Sequence, residues 1–393
     1  MKQHVYIVDA KRTPIGKYGG SFIDVPATKL ATIVIKTLLN RNPNITNHTD
    51  EVILGNALSA GLGQNPARIA AYTSGLHQKV PSCTVNKLCG SSLRSIIMGV
   101  QSILNNDAQV IIAGGMENMS RAPYILDNYR FGAKIGHQII RDVMIYDGLF
   151  CSLINESMGE TAERIARKYN ISRKEQDTYA YESHQKALLA IQNNSFLEQI
   201  VPVPITKGET KLSFSVDEQP RKDTSIKLLA TLRPGFHKKG TVTAGNACPL
   251  NDGAAAVILS SASFVKKHRL HPMARIIEYA YVGLDPKLMG LGAFYAAKEC
   301  LKKSRLKTSD IDLWEINEAF ASQSIAVQRL LKIDKQIVNV NGGAIALGHP
   351  IGASGARILT TLLYELKKRS KRYGMATLCI GGGQGIAMLV ENI

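Results

Sequence analysis

The chain has no apolar run approaching the roughly 20 residues that a membrane-spanning helix requires. Its N-terminus, Met1-Lys2-Gln3-His4-Val5-Tyr6-Ile7-Val8-Asp9-Ala10, lacks both the apolar core of a secretion signal and an Arg-rich, acid-poor leader, and reads directly into a strand. The six cysteines (Cys83, Cys89, Cys151, Cys248, Cys300, Cys379) are scattered through 393 residues, which argues against a disulfide framework. Only Cys83 and Cys89 are close, and their spacing matches no zinc ribbon. Missing too are zinc-finger spacing, an RRM aromatic signature and a basic arm. These absences predict a cytoplasmic protein with no structural metal and with neither nucleic acid nor membrane as a partner.

Acidic residues are in short supply. The 31 Asp and Glu stand against 48 Lys and Arg, for a formal charge of +17. Clusters such as Lys367-Lys368-Arg369-Ser370-Lys371-Arg372 and Lys266-Lys267-His268-Arg269 fall at or beyond predicted helix ends, where positive charge suits the helix dipole. The same field would steer a phosphate-bearing small substrate toward the protein. A 45% hydrophobic and 20% charged composition supports large cores, and 393 residues call for two or three compact units.

The chain contains itself twice. The periodic helix Ala27–Leu39 leads to the strand Glu51-Val52-Ile53-Leu54 and Asn56, while Ala293–Lys303 leads to Asp312-Leu313-Trp314-Glu315-Ile316 and Asn317. Cys89 precedes small residues, a helix over Ser91–Leu104 and the strand Val110-Ile111-Ile112-Ala113 before Gly114-Gly115. His349 likewise precedes Gly352-Ala353-Ser354-Gly355, a helix carrying Ile358, Leu362 and Leu366, and the strand Ala376–Ile380 before Gly381-Gly382-Gly383. Alternating strands and helices predict a layered α/β fold, with ligands beyond the carboxyl ends of the strands, where Cys89, Asn317, His349 and Cys379 all fall. Between the repeats, Met116 to Ala247 reads as an insertion: helices over Gly159–Tyr169 and Arg173–Asn193, then the loop-like Val201–Pro234.

At a helix N-terminus, Cys89 meets unpaired N–H groups that favour a thiolate, a setting for a nucleophile; alone, a cysteine there fills a buried corner as readily. His349 stands among five glycines from Gly342 to Gly355, where close backbone approach is possible and an imidazole can act as a general base. The glycines after Cys379 are no dinucleotide fingerprint, since no acidic residue follows at the required distance; beside a reactive thiol their N–H groups suit an oxyanion hole. Asn317 either satisfies local backbone or orients a water or an enolate oxygen.

Cys89 in Val85–Leu93, Asn317-Glu318-Ala319-Phe320, Asn339–Arg357 around His349 and Cys379-Ile380-Gly381-Gly382-Gly383 together resemble the thiolases. Further matches, in order along the whole chain, are Lys11-Arg12-Thr13-Pro14-Ile15-Gly16, Gly63-Gln64-Asn65-Pro66-Ala67-Arg68, Gly114-Gly115-Met116-Glu117, Leu232-Arg233-Pro234 and Thr241–Ala247. The resemblance implies two similar five-stranded βαβαβαββ halves in α-β-α-β-α layers, with an inserted loop domain that binds CoA. Residues 1–118 with 248–270 would form the first half, 119–247 the insertion and 271–393 the second half.

It implies a homodimer or homotetramer, with the loop from Tyr124 to Met144 making tetramer contacts, and ping-pong condensation of two acetyl-CoA to acetoacetyl-CoA and CoA. Cys89 would be the nucleophile activated by His349, and Cys379 the base. Asn317, through a water, and His349 would hold the enolate, and the N–H groups of Cys89 and Gly381 the tetrahedral oxyanion. Leu149, Ser157, Arg221 and Ala244 would contact CoA or the acyl group, as would Cys248, Met289, Ala319 and Phe320. CoA is substrate and product; no metal or redox cofactor is needed.

Three positions depart from the family pattern. Ser157 stands before Met158-Gly159 where a pocket histidine is usual, which leaves room for the longer chains of a degradative 3-ketoacyl-CoA thiolase. Cys248-Pro249 replaces Ser-Gly, which predicts weaker pantetheine contact. Ser92 replaces a glycine and is expected to alter only helix propensity. Readings from elsewhere are a decarboxylating condensing enzyme, which would carry a histidine or asparagine in place of Cys379, and a non-catalytic CoA-binding protein. Two reactive thiols on one site also raise reversible Cys89–Cys379 disulfide inactivation.

Overall fold

The computed structural model describes residues 4–393, so Met1, Lys2 and Gln3, read above as the approach to the first strand, lie outside the described residues. Its principal strands are β1 (Val5–Arg12), β2 (Glu51–Gly55), β3 (Ser82–Val85), β4 (Val110–Asn118), β5 (Asn251–Ser261), β6 (Ala274–Gly283), β7 (Leu313–Ile316), β8 (Tyr373–Ile380) and β9 (Gln384–Asn392). They lie in the order β7-β8-β9-β6-β1-β5-β4-β2-β3, with the short Gly16–Lys17 beside β5.

That order is one plan used twice. Outward from the centre, the first half runs β1, β5, β4, β2, β3 and the second runs β6, β9, β8, β7. Within the sheet the halves meet where Tyr6 and Ile7 face Arg275 and Ala274. In the first half β3 pairs with β2 along four residues, whereas in the second the corresponding place holds a single parallel bridge, Trp314 to Val338. Five strands in each half were expected. The missing one is cut short because Asn339 (φ 45°) and Gly342 (φ 80°) turn the chain at once into the glycine loop before His349.

The helices that matter here are α1 (Ala27–Arg41), α2 (Ser91–Leu104), α3 (Met158–Lys168), α4 (Arg173–Gln192), α5 (Ala262–His268), α6 (Gly292–Ser304), α7 (Ala321–Leu331) and α8 (Ser354–Lys368). α2 and α8 form the central layer; α8 touches β8 of one half, β5 of the other, and α2. Leu93, Ile97, Val257, Leu359 and Ile386 meet there in one core. The outer face of the first half is covered by Leu30, Val34 and Leu38 of α1, and that of the second by Ala293, Ala296 and Ala297 of α6. The result is α-β-α-β-α layering. Sheets covered on both faces need apolar residues at every strand position, and β4 and β5 are buried throughout.

The periodicity places α2 to the residue, and α1 extends two residues past its predicted end. Val201–Pro234 is not the expected loop: it holds a hairpin, Val203–Lys207 with Thr210–Phe214, and a short helix, Ile226–Thr231. Its anchor is distant in sequence. Phe214 meets Phe22 edge-on with ring centroids 5.1 Å apart, a contact that no local pattern reveals.

Candidate active site

β3 ends at Val85 and α2 begins at Ser91; between them Cys89 is held in one 3-10 turn, Leu88–Gly90. Leu88 is left-handed (φ 48°), an unfavourable region for a branched side chain, and a set of local bonds keeps it there. Its N–H donates to Asn86 Oδ1 (3.0 Å), while Asn86 Nδ2 donates to the Ala57 carbonyl (3.2 Å). The Lys87 N–H donates to Ser91 Oγ (2.8 Å), which donates to the Leu88 carbonyl (2.6 Å). Cys89 thus rides on an elbow just ahead of the helix. Gly90 lies against Ile380, so the elbow of one half rests on the β8 end that carries Cys379 in the other.

The backbone N–H groups of Gly381 and Cys89 are near enough to the Cys89 sulfur to favour its thiolate. Burial pushes that thiol up to about 11. The expected thiolate is therefore not the resting form: removal of water from the sulfur outweighs the field of the helix terminus and the two N–H groups. Cys379 and Cys248 lie within electrostatic reach of the same sulfur, and burial raises both of their thiols as well.

His349 follows Gly348, whose left-handed φ of 106° and lack of a side chain leave room for the amide of Asn251. Asn251 Oδ1 accepts the His349 N–H (2.9 Å) and its Nδ2 donates to the Gly16 carbonyl (3.0 Å). Ser354 Oγ lies 2.5 Å from His349 Nδ1 and 2.8 Å from the Pro350 carbonyl. A carbonyl only accepts, so the Ser354 hydroxyl donates to Pro350, and Nδ1 must carry the hydrogen donated to Ser354. Nε2 is left with a free lone pair, the form of imidazole that can take a proton. Burial, then the charge of Arg357, lower His349 to about 3, so the ring is neutral. Both environments therefore favour the neutral thiol and imidazole over a thiolate–imidazolium pair.

Two buried carboxylates hold the loops. Oε1 of Glu117 accepts from Asn56 Nδ2 (2.7 Å) and the Leu58 N–H (3.2 Å), and Oε2 from the N–H groups of Ala57 (3.0 Å) and Gly352 (2.8 Å). One side chain of the first half therefore fixes the turn behind His349. Glu318 accepts from Tyr179 Oη (3.1 Å), Ser183 Oγ (2.8 Å), Asn339 Nδ2 (2.8 Å) and the Ile345 N–H (3.1 Å), tying α4 of the insertion to the glycine loop. Asn317 is fully buried, and its N–H donates to the Thr377 carbonyl (3.0 Å). Among the described residues nothing pairs with its side-chain Oδ1 or Nδ2. A buried amide is costly in that state, which marks it as a group with an external partner.

A cavity of about 300 Å³ opens beside His349. Leu149, Ser157, Cys248 and Phe320 are on its wall, with Met119, Phe150, Met158 and Phe236 making it mostly apolar. A second, of about 160 Å³, shares Ala247 and Pro249 with the first and has Arg221, Ala244 and His184 on its wall. The two are neighbours across Ala247 and Pro249, with Arg221 on the far side of one and His349 on the wall of the other. Ala319 supports it from behind, its carbonyl accepting the Cys248 N–H (3.0 Å). Met289, implied as a pocket residue, is on neither wall: only 3% exposed, it packs with Cys379 in the cluster that backs Met158 and Phe320.

Ser157 caps α3, its hydroxyl and N–H both bound to Glu160 in a capping box that Ser157-Met158-Gly159-Glu160 spells out. Ser92 does more than change helix propensity. Its Oγ accepts the Ala356 N–H (2.9 Å), satisfying one of the unpaired donors in the first turn of α8 where α2 crosses it. Glu117, Asn251 and Ser354 received no role from sequence reasoning, although each stands in or beside a glycine-rich motif, where a polar residue bound for burial is the available signal. Among the described residues no group of three or more His, Cys, Asp or Glu could hold a metal ion, and no helix is long and apolar enough to cross a membrane.

The same geometry accompanies a clear likeness to known proteins. The thiolase N-terminal domain family matches residues 5–263 and the thiolase C-terminal domain family residues 270–392. An acetyl-CoA acetyltransferase of Pseudomonas aeruginosa is 51% identical over 99% of this chain and 100% of its own length. One of Escherichia coli K12 is 50% identical over 98% of each. The crystal structure of the Bacillus anthracis acetyl-CoA acetyltransferase superposes with a TM-score of 0.97 at 42% identity, over 100% of this chain and 99% of that one. The crystal structure of human mitochondrial 3-ketoacyl-CoA thiolase does so with 0.96 at 43% identity, over 99% of both. This chain belongs to the thiolase family.

Proposed function

We propose that the protein is an acetyl-CoA acetyltransferase, condensing two acetyl-CoA to acetoacetyl-CoA and CoA, reversibly, through an acetyl group carried on Cys89. The observation that carries this reading is the elbow that seats Cys89 against the β8 end bearing Cys379, in a site whose histidine is held neutral with Nε2 free. Cys89 attacks the thioester carbonyl as its proton passes to His349 Nε2, and the CoA sulfur leaves with the proton of the Cys379 thiol. Because Cys89 and His349 rest neutral, proton transfer accompanies attack. The Cys379 thiolate so formed takes a proton from the methyl of a second acetyl-CoA. His349, now carrying a proton on Nε2, and the unpaired amide of Asn317, acting through a water, hold the enolate oxygen. The enolate carbon attacks the acetyl-Cys89 carbonyl, the Cys89 and Gly381 N–H groups hold the oxyanion, and acetoacetyl-CoA departs as the Cys89 sulfur takes its proton back from His349.

CoA serves as substrate and product, and no cofactor enters the steps. Its pantetheine arm would run from Arg221 and Ala244 past Cys248 toward His349. Residues 1–118 with 248–270, 119–247 and 271–393 serve as first half, insertion and second half, a division supported by β5 returning to the first half's sheet. A homodimer or homotetramer in the cytoplasm is the matching setting. The hairpin around Tyr124–Leu126 and Ile140–Asp142, with Phe131 and Ile135 more than nine-tenths exposed, favours self-association.

One observation favours a second reading, cleavage of longer 3-ketoacyl-CoA: the inner cavity is mostly apolar, and Ser157 places no ring in it. Thiolysis of acetoacetyl-CoA is to be compared with that of a medium-chain 3-ketoacyl-CoA, beside a Cys89→Ala control. Preference for acetoacetyl-CoA upholds the proposal, and equal or better cleavage of the longer substrate moves the protein to the degradative branch. Absence of Cys89-dependent activity on both leaves a CoA-binding protein.

A further inference from the structure

The positive charge of this chain is gathered on the edge of the sheet far from the site. The register aligns the start of β7 (Leu313 facing Gly374), the start of β8 (Tyr373 facing Glu391), the end of β9 (Asn392 facing Ala274) and the start of β6 (Ala274 facing Ile7). Four strands thus share one edge, roughly 15 Å wide at ~4.8 Å per strand. Cys379 and Gly381 lie at the other end of β8, about 25 Å away along its length. α6 and α8 both run toward this edge, since each delivers the chain to the start of β7 or β8, and α5 spans the gap between the end of β5 and the start of β6.

The stretches 262–275, 299–312, 365–373 and 391–393 at this edge hold thirteen Lys and Arg against five Asp and Glu, nearly half the net charge of +17. Three of the five acids are committed. Glu391 pairs with Arg275 and Arg372, Glu365 with Arg369, and Asp312 accepts the N–H groups of Arg372 and Tyr373. The lysines are not: Lys266, Lys267, Lys302, Lys303, Lys367 and Lys371 are exposed, with no carboxylate within salt-bridge distance among the described residues.

Lysines adjacent in the chain, Lys266–Lys267, Lys302–Lys303 and Lys367–Lys368, have backbones spaced well inside the ~8 Å Debye length at physiological salt, so their potentials add. Their chemistry is diffuse. Three helix C-termini bring carbonyls to the edge instead of N–H groups, and three of its Arg forks are already occupied by Glu365 and Glu391. Duplex nucleic acid is positioned also through backbone N–H groups and helix N-termini, and the three helix C-termini at this edge supply neither. Ile393 is the one large apolar side chain exposed in these four stretches among the described residues, so the edge has little to insert into a bilayer.

We propose that this edge is a docking surface for an anionic lipid bilayer, engaged by charge alone, reversibly and in a salt-dependent way, with the Cys379 end left facing solution. Such attachment needs no spanning segment, the feature whose absence led the sequence reading to expect no membrane partner.

The test is co-sedimentation of the full-length protein with phosphatidylcholine vesicles containing about one-third phosphatidylglycerol, against phosphatidylcholine alone, at ~0.05 M and ~0.5 M salt. The wild type is expected to bind only the anionic vesicles and to leave them at high salt. Lys302→Gln/Lys303→Gln/Lys367→Gln/Lys371→Gln should lower the partition several-hundredfold, at about fivefold per lysine. The same number of changes elsewhere, at Lys29, Lys36, Lys174 and Lys211, should cost less than about tenfold. Both variants should retain wild-type acetoacetyl-CoA thiolysis in solution, which verifies folding, and Lys266→Gln/Lys267→Gln supplies an independent milder set. Failure of the wild type to bind anionic vesicles, equal losses in the two quadruple variants, or tighter binding to duplex DNA than to vesicles would overturn the proposal.

Discussion

Replacing Glu117 by Gln changes one oxygen of a buried side chain to an NH₂, and the structure sets the penalty. Each carboxylate oxygen accepts two donors: Asn56 Nδ2 and the Leu58 N–H on one side, the Ala57 and Gly352 N–H groups on the other. Whichever way the amide turns, its NH₂ faces two donors and leaves both unsatisfied. At 1–3 kcal/mol each, the loss is about 4 kcal/mol. An unfolding entropy of about 2.1 cal/mol/K per residue makes that a fall of about 5 °C in Tm for a chain of this size. Burial pushes the Glu117 carboxyl up to about 7, so scanning calorimetry belongs near pH 8.5, where the wild type is ionised. Because Gly352 also loses its anchor behind His349, kcat for acetoacetyl-CoA thiolysis should fall with less change in KM for CoA. A Tm within about 1 °C of wild type together with full activity would refute the reasoning.

Three further outcomes are expected. Ser354→Ala removes the acceptor that fixes the His349 tautomer, so kcat should fall about 10- to 100-fold with Tm little changed, and Ser354→Thr should recover most of it; undiminished kcat in the alanine variant contradicts the assigned tautomer. With the Cys89 thiol near 11, its alkylation by iodoacetamide should quicken about tenfold per pH unit from neutrality to ~10, and a plateau near neutral pH would show a preformed thiolate. Cys248→Ser should lower the KM for acetyl-CoA severalfold, worth ~1 kcal/mol, by restoring a stronger hydrogen-bonding group to the cavity wall; an unchanged KM removes that contact from the account.

What could be read in advance was local or periodic. The apolar spacing of Ser91–Leu104, the matched asparagines after two strands and the parallel settings of Cys89 and His349 rest on residues close together in the chain. The doubled sheet follows from them. Contacts that join the halves could not be read. Glu117 to Gly352, Ser92 to Ala356 and Phe22 to Phe214 depend on how two sheets and their helices stack, which no sequence window contains. The state of Cys89 was misjudged for a related reason. The helix terminus is visible in the sequence, whereas the burial that overrides it is a tertiary property. The shortened fifth strand of the second half arises from backbone angles at Asn339 and Gly342 whose outcome the glycine-rich string leaves open.

The most direct trial of the central claim is to mix the protein with acetyl-CoA labelled in its acetyl carbonyl, quench in acid, and map the label by peptide mass spectrometry. The account predicts one acetyl group, on the peptide bearing Cys89. It should be lost in Cys89→Ala and retained in Cys379→Ala, a variant that should no longer form acetoacetyl-CoA. Label on Cys248 or Cys379, or none on any cysteine while acetoacetyl-CoA still forms, would contradict it.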